Sequence, residues 1–389
     1  MKILIYTSAF LPQIGGAELV VHNLAEGLVE EGHEVMVATF WSGGKDPISK
    51  YALKRLRSFR GSGRLGLRAC ARRWRLLKLI RDWRPDVIHA HFSIPCGYDL
   101  ARLGERIEVP WILTCHGEDI QKRPEIPYGY RLDPAQEEKI RRAVCSAKAV
   151  IAIGEDVKAE YLSLGVCREK IFRLPNPIAY EALAEKKEQV RKKLGLAQDV
   201  PVVLAIGRNH PKKGFLRLLE AVAMMKERGV FCQCVLVGKD TGELEPYAVD
   251  LGLAGFIFTY DSANPAGLLF HGESCPAEKQ IESFFQSADV YAMSSYVESF
   301  GLVTIEAMAA GLPVVAFSGP GTDDLLKKDS CGMVVPAGDV EAFANALQRC
   351  FENNGLREKA RVCGQAVAFQ YDRRIVARLH VDLYEKMAN

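Results

Sequence analysis

Short apolar runs alternate along this chain with longer stretches in which apolar positions return every three or four residues. The runs read as buried strands and the periodic stretches as amphipathic helices, a rhythm that describes an α/β chain. In the first half, strands are expected at Ile3–Tyr6, Glu34–Ala38, Val87–His89, Trp111–Thr114 and Ala149–Ala152, separated by helices that include Ala17–Glu31 and Ala135–Ser146. Arg173-Leu-Pro-Asn-Pro-Ile178 interrupts the rhythm, because two prolines restrict the backbone. The charged run Glu185-Lys-Lys-Glu-Gln-Val-Arg-Lys-Lys-Leu-Gly195 follows, so residues 179–199 read as a connection between domains 1–178 and 200–364. Beyond it the strands are expected at Val202–Ile206, Gln233–Val237, Gly267–Phe270, Val290–Ala292, Val314–Ala316 and Met333–Val335. Helical periodicity marks Phe215–Arg228, Ala277–Gln286 and Val340–Cys350. A last helical pattern runs from about Ala360 to Lys386, and its spacing leaves open which domain it joins.

With 389 residues, 48% of them hydrophobic, the chain is too long for one ordinary core and suits two α/β domains. Lys and Arg outnumber Asp and Glu by only 51 to 48, so net charge singles out no partner. No window is long and apolar enough to span a bilayer. The opening Met-Lys-Ile-Leu-Ile-Tyr-Thr-Ser lacks a small-residue cleavage signal and reads as a first buried strand, not a secretory leader. Eleven cysteines, with no Cys-x-x-Cys, suggest reduced thiols and a cytoplasmic protein.

One segment departs from this even charge. Between Lys54 and Arg84 stand twelve Lys or Arg and one acid, Asp82. Leu67, Cys70, Trp74, Leu77 and Trp83 recur there at helical spacing, with Arg68, Arg72, Arg75 and Lys78 elsewhere on the turn. Such a helix suits an anionic membrane surface, or it is a surface helix whose apolar stripe docks on its own domain. Nothing in it resembles an aromatic base-stacking array, so nucleic acid is not expected. Arg57, Arg60 and Arg64 are candidates for holding an anionic acceptor.

The densest chemistry lies in Ser294–Ser318. Glu298 and Glu306 flank a helix start at Phe300, Gly301 and Leu302, and Gly-Leu-Pro with an apolar strand comes after. Acids and free helix-start amides at the C-terminal edge of a parallel sheet are the ingredients of a nucleotide or nucleotide-sugar site. Gly207-Arg208 ends one strand and Lys212-Lys213-Gly214 precedes the next helix, so Arg208 and a lysine can converge on a diphosphate. Gly15-Gly16 opens the first helix, either as a phosphate-facing turn or as a simple tight one. His116-Gly-Glu-Asp119 follows a strand, where a histidine can meet a sugar hydroxyl. His89 and His91 share a strand face without a third ligand at useful spacing, and Asp323-Asp324 suits a helix start, so no metal site is expected. No G-x-G-x-x-G occupies the first strand-to-helix turn and no G-x-x-x-x-G-K-[ST] occurs, which argues against a dehydrogenase or an ATPase.

In order along the chain, Gly-Gly-x-Glu, His-Gly-x-Asp, Pro-Asn-Pro-Ile, Gly-Arg with Lys-Gly, Phe270-x-Gly272 and Glu298-Ser-Phe-Gly-x-x-x-x-Glu306-Ala-Met-Ala-x-Gly-x-Pro-Val-Val resemble the family 4 retaining glycosyltransferases. The resemblance implies a GT-B fold, two Rossmann-like domains facing a central cleft, with the N-terminal domain binding the acceptor. It implies that Arg208 and Lys213 clamp the diphosphate of a UDP- or GDP-linked sugar, that Glu306 holds the ribose and that Glu298 contacts the donor sugar. His116 would lie near the reacting end, Gly16 near the phosphates, and residues 365–389 would cross back to the N-terminal domain. Transfer would be metal-independent and would pass a hexosyl group to a saccharide or lipid-linked acceptor, as in envelope or lipopolysaccharide assembly at the inner face of the plasma membrane. Two departures stand out: Phe256–Leu269 is longer than usual, and Gly319-Pro-Gly-Thr-Asp-Asp324 replaces the commoner Gly-x-x-Glu. The alternatives are a phosphorylase or synthase of the same fold and a non-catalytic nucleotide-sugar-binding protein.

Overall fold

A computed structural model describes the chain except residues 13–14, 41–48, 57–64, 180–185, 262–276, 327–330 and 389, and except the side chains of 65–66 and 277–280. It divides into two compact units, Met1–Ala179 with Tyr371–Asn389, and Tyr180–Gln370. The first unit is built on seven strands: β1 (Lys2–Thr7), β2 (Glu34–Thr39), β3 (Ala52–Arg55), β4 (Val87–His91), β5 (Trp111–Thr114), β6 (Ala149–Ala152) and β7 (Ile171–Arg173). They lie all parallel in the order β3-β2-β1-β4-β5-β6-β7. The second unit holds β8 (Val202–Ile206), β9 (Gln233–Val237), β10 (Ile257–Tyr260), β11 (Val290–Met293), β12 (Val314–Phe317) and β13 (Gly332–Val335), parallel in the order β10-β9-β8-β11-β12-β13. Each sheet runs outward from a central pair in both directions, so each has a switch point at the carboxyl ends of β1/β4 and of β8/β11.

The central strands are buried along their whole length because helices cover both faces, and this is why they read as continuous apolar runs. The edges read differently. β3 alternates exposed and half-buried residues, β7 has three residues, and neither stands out from sequence alone. Ile257–Tyr260, inside the segment expected to be an insertion, forms the edge strand β10 beside β9. The strand expected at Gly267–Phe270 and the Phe270-x-Gly272 motif lie outside the described residues.

Three further expectations are revised. The last helical pattern is two helices, Asn354–Phe369 in the second unit and Arg373–Ala388 in the first. The chain is pinned between them by Ile178, whose N–H donates to Tyr371 O at 2.9 Å and whose carbonyl accepts from Arg373 N–H at 3.0 Å. Helix Arg373–Ala388 lies close against helix Gly16–Glu30, where a Cβ on Gly27 would stand 2.4 Å from the Arg373 carbonyl oxygen. Residues Lys187–Lys193, inside the expected connection, form a helix of the second unit. Buried Arg191 anchors it by donating to Ser287 O (2.9 Å), Gln198 O (2.8 Å) and the Asp289 carboxylate (2.6 Å). Finally, the cysteines are not all thiols: Cys331 and Cys363 form a disulfide within the second unit. Sequence spacing concealed it because the partners are 32 residues apart and meet only through packing.

Candidate functional site

In the second unit, chemistry collects where β8, β9 and β11 end. After β8 the chain passes through Gly207 and Arg208, and after β9 through Gly238. A Cβ on Gly238 would stand 2.1 Å from Gly207 O, so the two strand exits approach more closely than any side chain permits. The Pro211–Lys213 turn then docks on the exit of β11. Ser294 Oγ donates to Lys213 O at 2.8 Å, and Tyr296 N–H donates to Lys212 O at 2.8 Å. Gly214 closes the turn at φ +62°, and a Cβ there would meet Ser294 O at 2.1 Å. These contacts bring Lys213 Nζ to 2.7 Å from Glu298 Oε2.

Burial pushes the Glu298 carboxyl up, but Lys213 and then Lys212 outweigh it and hold its pKa below the usual carboxylate range. Glu298 N–H donates to Pro320 O at 3.2 Å, so the loop after β12 steadies the loop that carries Glu298. Gly301, in the left-handed region at φ +84°, begins helix Leu302–Ala309. Thr304 and Ile305 donate to its carbonyl at 2.9 and 3.1 Å, so the amides at Leu302 and Val303 lack carbonyl partners within the helix. Phe300 precedes this start, and Glu306 lies one turn into the helix. The phenol of Tyr291, raised by burial, is raised further by the charges of Glu298 and Glu306. Arg208 is exposed, and among the described residues its guanidinium has no ion-pair or hydrogen-bond partner. A paired lysine, an exposed arginine, helix-start amides without carbonyl partners in the helix and a second acid thus occupy one sheet edge, an arrangement able to receive a diphosphate and a polyol together.

The remaining candidates lie in the first unit. His116 follows β5 and is oriented by Asp119, a residue whose part the sequence did not disclose. Asp119 Oδ1 accepts the N–H groups of His116 (2.8 Å) and Gly117 (3.2 Å), and Oδ2 accepts Ser93 N–H (2.7 Å). An Asp three residues after a histidine is the available signal, since short acidic side chains accept from nearby amides. Burial lowers the His116 pKa to about 4, so its ring is neutral. Gly15 and Gly16 open helix Gly16–Glu30 as expected, with the Glu18 carboxylate folded back toward Gly15. A Cβ on Gly15 would stand 2.5 Å from Glu18 Oε2, and burial pushes the Glu18 pKa up. Asp323 accepts from Ser318 Oγ at 3.0 Å and from Gly319 N–H at 3.3 Å, a helix-start role. Among the described residues, no group of three or more His, Cys, Asp or Glu is placed to hold a metal ion.

The basic stretch forms helix Leu65–Trp83. Its inward face is Leu76 and Ile80, while Leu67 (57% exposed) and Trp74 (63%) face outward with Arg68 and Lys78. Arg72 is not a free surface cation. It binds the fully buried Asp99, which also accepts from Tyr6 Oη at 3.0 Å. Arg57, Arg60 and Arg64 lie outside the described residues.

Two Rossmann-like domains with parallel sheets and ligand-binding chemistry at a sheet switch point define the GT-B class. A family model described as Glycosyltransferase Family 4 matches residues 14–181, and one described as Glycosyl transferases group 1 matches residues 186–367. The chain belongs to the GT-B-fold glycosyltransferase superfamily. It is 28% identical over 270 residues to the putative teichuronic acid biosynthesis glycosyltransferase TuaC of Bacillus subtilis, covering 69% of this chain and 62% of that protein. It is 30% identical over 197 residues to the lipopolysaccharide core biosynthesis glycosyltransferase LpsE of Rhizobium meliloti, covering 50% of this chain and 52% of that one. The chain therefore spans less than two thirds of the length of either relative. The solved structure of Anabaena HepE in complex with UDP-glucose superposes with a TM-score of 0.79 at 21% identity, covering 99% of this chain and 100% of that one.

Proposed function

We propose that this protein is a family 4 retaining glycosyltransferase that moves a hexosyl group from a UDP- or GDP-linked sugar to a saccharide or lipid-linked acceptor in the assembly of a surface polysaccharide. The observation that carries this reading is the 2.7 Å Lys213–Glu298 pair at the sheet edge, with exposed Arg208 at the end of β8 and the helix start at Leu302. In this reading Arg208 and Lys213 take the diphosphate and stabilise it as it leaves, without a resident metal. Glu306 accepts the ribose hydroxyls, Glu298 contacts the sugar, and His116 meets a sugar oxygen. The relatives' part in teichuronic acid and lipopolysaccharide core synthesis supports an envelope acceptor.

Calorimetric titration with UDP, GDP, ADP and their sugar conjugates, with and without Mg²⁺, tests the donor class. Selective binding of a nucleotide sugar followed by turnover supports the proposal. No nucleotide binding, with activity dependent on phosphate instead, would identify a phosphorylase. Arg208→Ala is expected to weaken nucleoside diphosphate binding by about 10–100-fold, the loss of one hydrogen-bonded charge contact. Its melting temperature should stay at the wild-type value, because the side chain is exposed and has no partner among the described residues. Unchanged affinity would remove Arg208 from the clamp.

We further propose a cytoplasmic protein that rests on the anionic inner face of the plasma membrane through the outward side of helix Leu65–Trp83. Replacing Arg68, Trp74 and Lys78 together by Ser should abolish sedimentation with phosphatidylglycerol vesicles, since each interfacial cation contributes about 1 kcal/mol. Arg72 is left in place because Asp99 needs it. Vesicle binding that survives the triple change would end this part of the proposal.

A further inference from the structure

His91 ends β4 and stands beside Thr114 in the parallel register, which brings it next to His116 just beyond β5. The two imidazoles lie edge to edge and nearly coplanar, with planes 11° apart and centroids at 5.1 Å, and His91 Nδ1 lies 2.9 Å from His116 Nε2. Burial lowers the pKa of both groups, so both rings are neutral and their shared contact holds a single proton. Either His91 donates to His116 or the reverse.

The other nitrogen of each ring decides which. His91 Nε2 is buried and has no hydrogen-bond partner among the described residues. If His91 accepted the proton of His116, its own proton would sit on Nε2 as an orphaned buried donor. If His91 donates from Nδ1, Nε2 is only an under-used acceptor. Orphaned buried N–H groups are the rarer case, and a buried donor left unmade costs about 1–3 kcal/mol. His89, the next ring at 4.3 Å, cannot relieve His91, because its own nitrogens are engaged with Tyr384 Oη (2.6 Å) and Thr114 Oγ1 (2.7 Å). His116, by contrast, is a half-buried residue, and its Nδ1 has no hydrogen-bond partner among the described residues.

We infer that His91 is a positioning residue that fixes His116 in its Nδ1–H form, so that His116 offers a hydrogen-bond donor, and no base, to an oxygen of the ligand. The ligand side of this statement rests on the glycosyltransferase reading; the proton assignment does not. It makes His116 suited to a sugar hydroxyl or other oxygen acceptor, and it assigns the removal of an acceptor proton elsewhere.

The test is ¹⁵N NMR of the histidine rings in the full chain without ligand, with His116 assigned by its loss in His116→Gln. The expected wild-type spectrum shows a protonated Nδ1 and a bare Nε2 for His116. The reverse assignment would overturn the inference. In His91→Leu the His116 ring should shift toward the Nε2–H form that free imidazole side chains favour in water. In His91→Asn, whose amide nitrogen stands where Nδ1 stood, the Nδ1–H pattern should return. A His116 signal that is the same in His91→Leu as in wild type would show that His91 fixes nothing, and if that variant fails to fold, the wild-type and Asn spectra still decide. Titrating the same wild-type sample with UDP and GDP probes the transferase reading separately, since the tautomer is read before any nucleotide is added.

Discussion

Lys213→Ala is expected to lower kcat/KM for the nucleotide-sugar donor by about 10²–10³-fold, the scale seen when one donor to a developing negative charge is removed. Two effects combine. The diphosphate loses a cation that the Pro211–Lys213 turn, bonded to Ser294 and Tyr296, holds at the edge of the sheet. In addition, Glu298 loses its main counter-charge while staying largely buried. Burial, which already pushes its carboxyl upward, then prevails, and its pKa rises. In the wild type that pKa is depressed, so the pair stabilises the fold above the unfolded carboxyl pKa, and the contribution fades as pH falls through the folded value. The variant should therefore lose stability near neutral pH and show less of this acid-side dependence. Adding Glu298→Gln to Lys213→Ala separates the two effects, restoring much of the melting temperature but none of the nucleotide affinity. Titration calorimetry and thermal melts of the two variants measure this, and a Lys213→Ala enzyme with wild-type nucleotide affinity would refute the clamp.

Asp119→Ala should destabilise the first unit by about 3–5 kcal/mol, because three backbone N–H groups, two of them in buried bonds, lose their acceptor. Asp119→Asn keeps one acceptor oxygen and should lose less. All four tryptophans, Trp41, Trp74, Trp83 and Trp111, fall in the first unit, so urea unfolding followed by tryptophan fluorescence reports on it alone. A loss below about 1 kcal/mol would mean that the amides find other partners, since that is the ordinary net value of a single hydrogen bond. His116 should lose its orientation as Asp119 is removed, so activity should fall even where the remaining fold persists.

How much of this was legible beforehand depended on whether the information was local. Central strands such as Ile3–Tyr6 and Val314–Ala316 announce themselves because burial on both faces demands unbroken apolar residues. Edge strands do not: Ala-Leu-Lys-Arg in β3 carries no alternation strong enough to separate it from a loop. The gap between the last two helices was hidden for a related reason. Gln370–Asp372 contain no proline or glycine, and the break is imposed by Ile178, nearly two hundred residues earlier in the chain. At the site, Glu298, Glu306, Arg208 and Lys213 stood out because charge at a strand end or helix start is locally unusual. The 2.7 Å approach of Lys213 to Glu298 was not readable, because 85 residues separate the partners.

By itself, the order of apolar and polar residues determined the α/β class, two domains and the residue types gathered at strand ends, since those follow from backbone geometry and burial over a few residues. Tertiary structure alone decided that Arg72 serves Asp99 instead of the surface, that Cys331 meets Cys363, and that His91 stands against His116. Each of these pairs residues far apart in the sequence, and its outcome depends on which of them the packed sheets and helices bring within bonding distance.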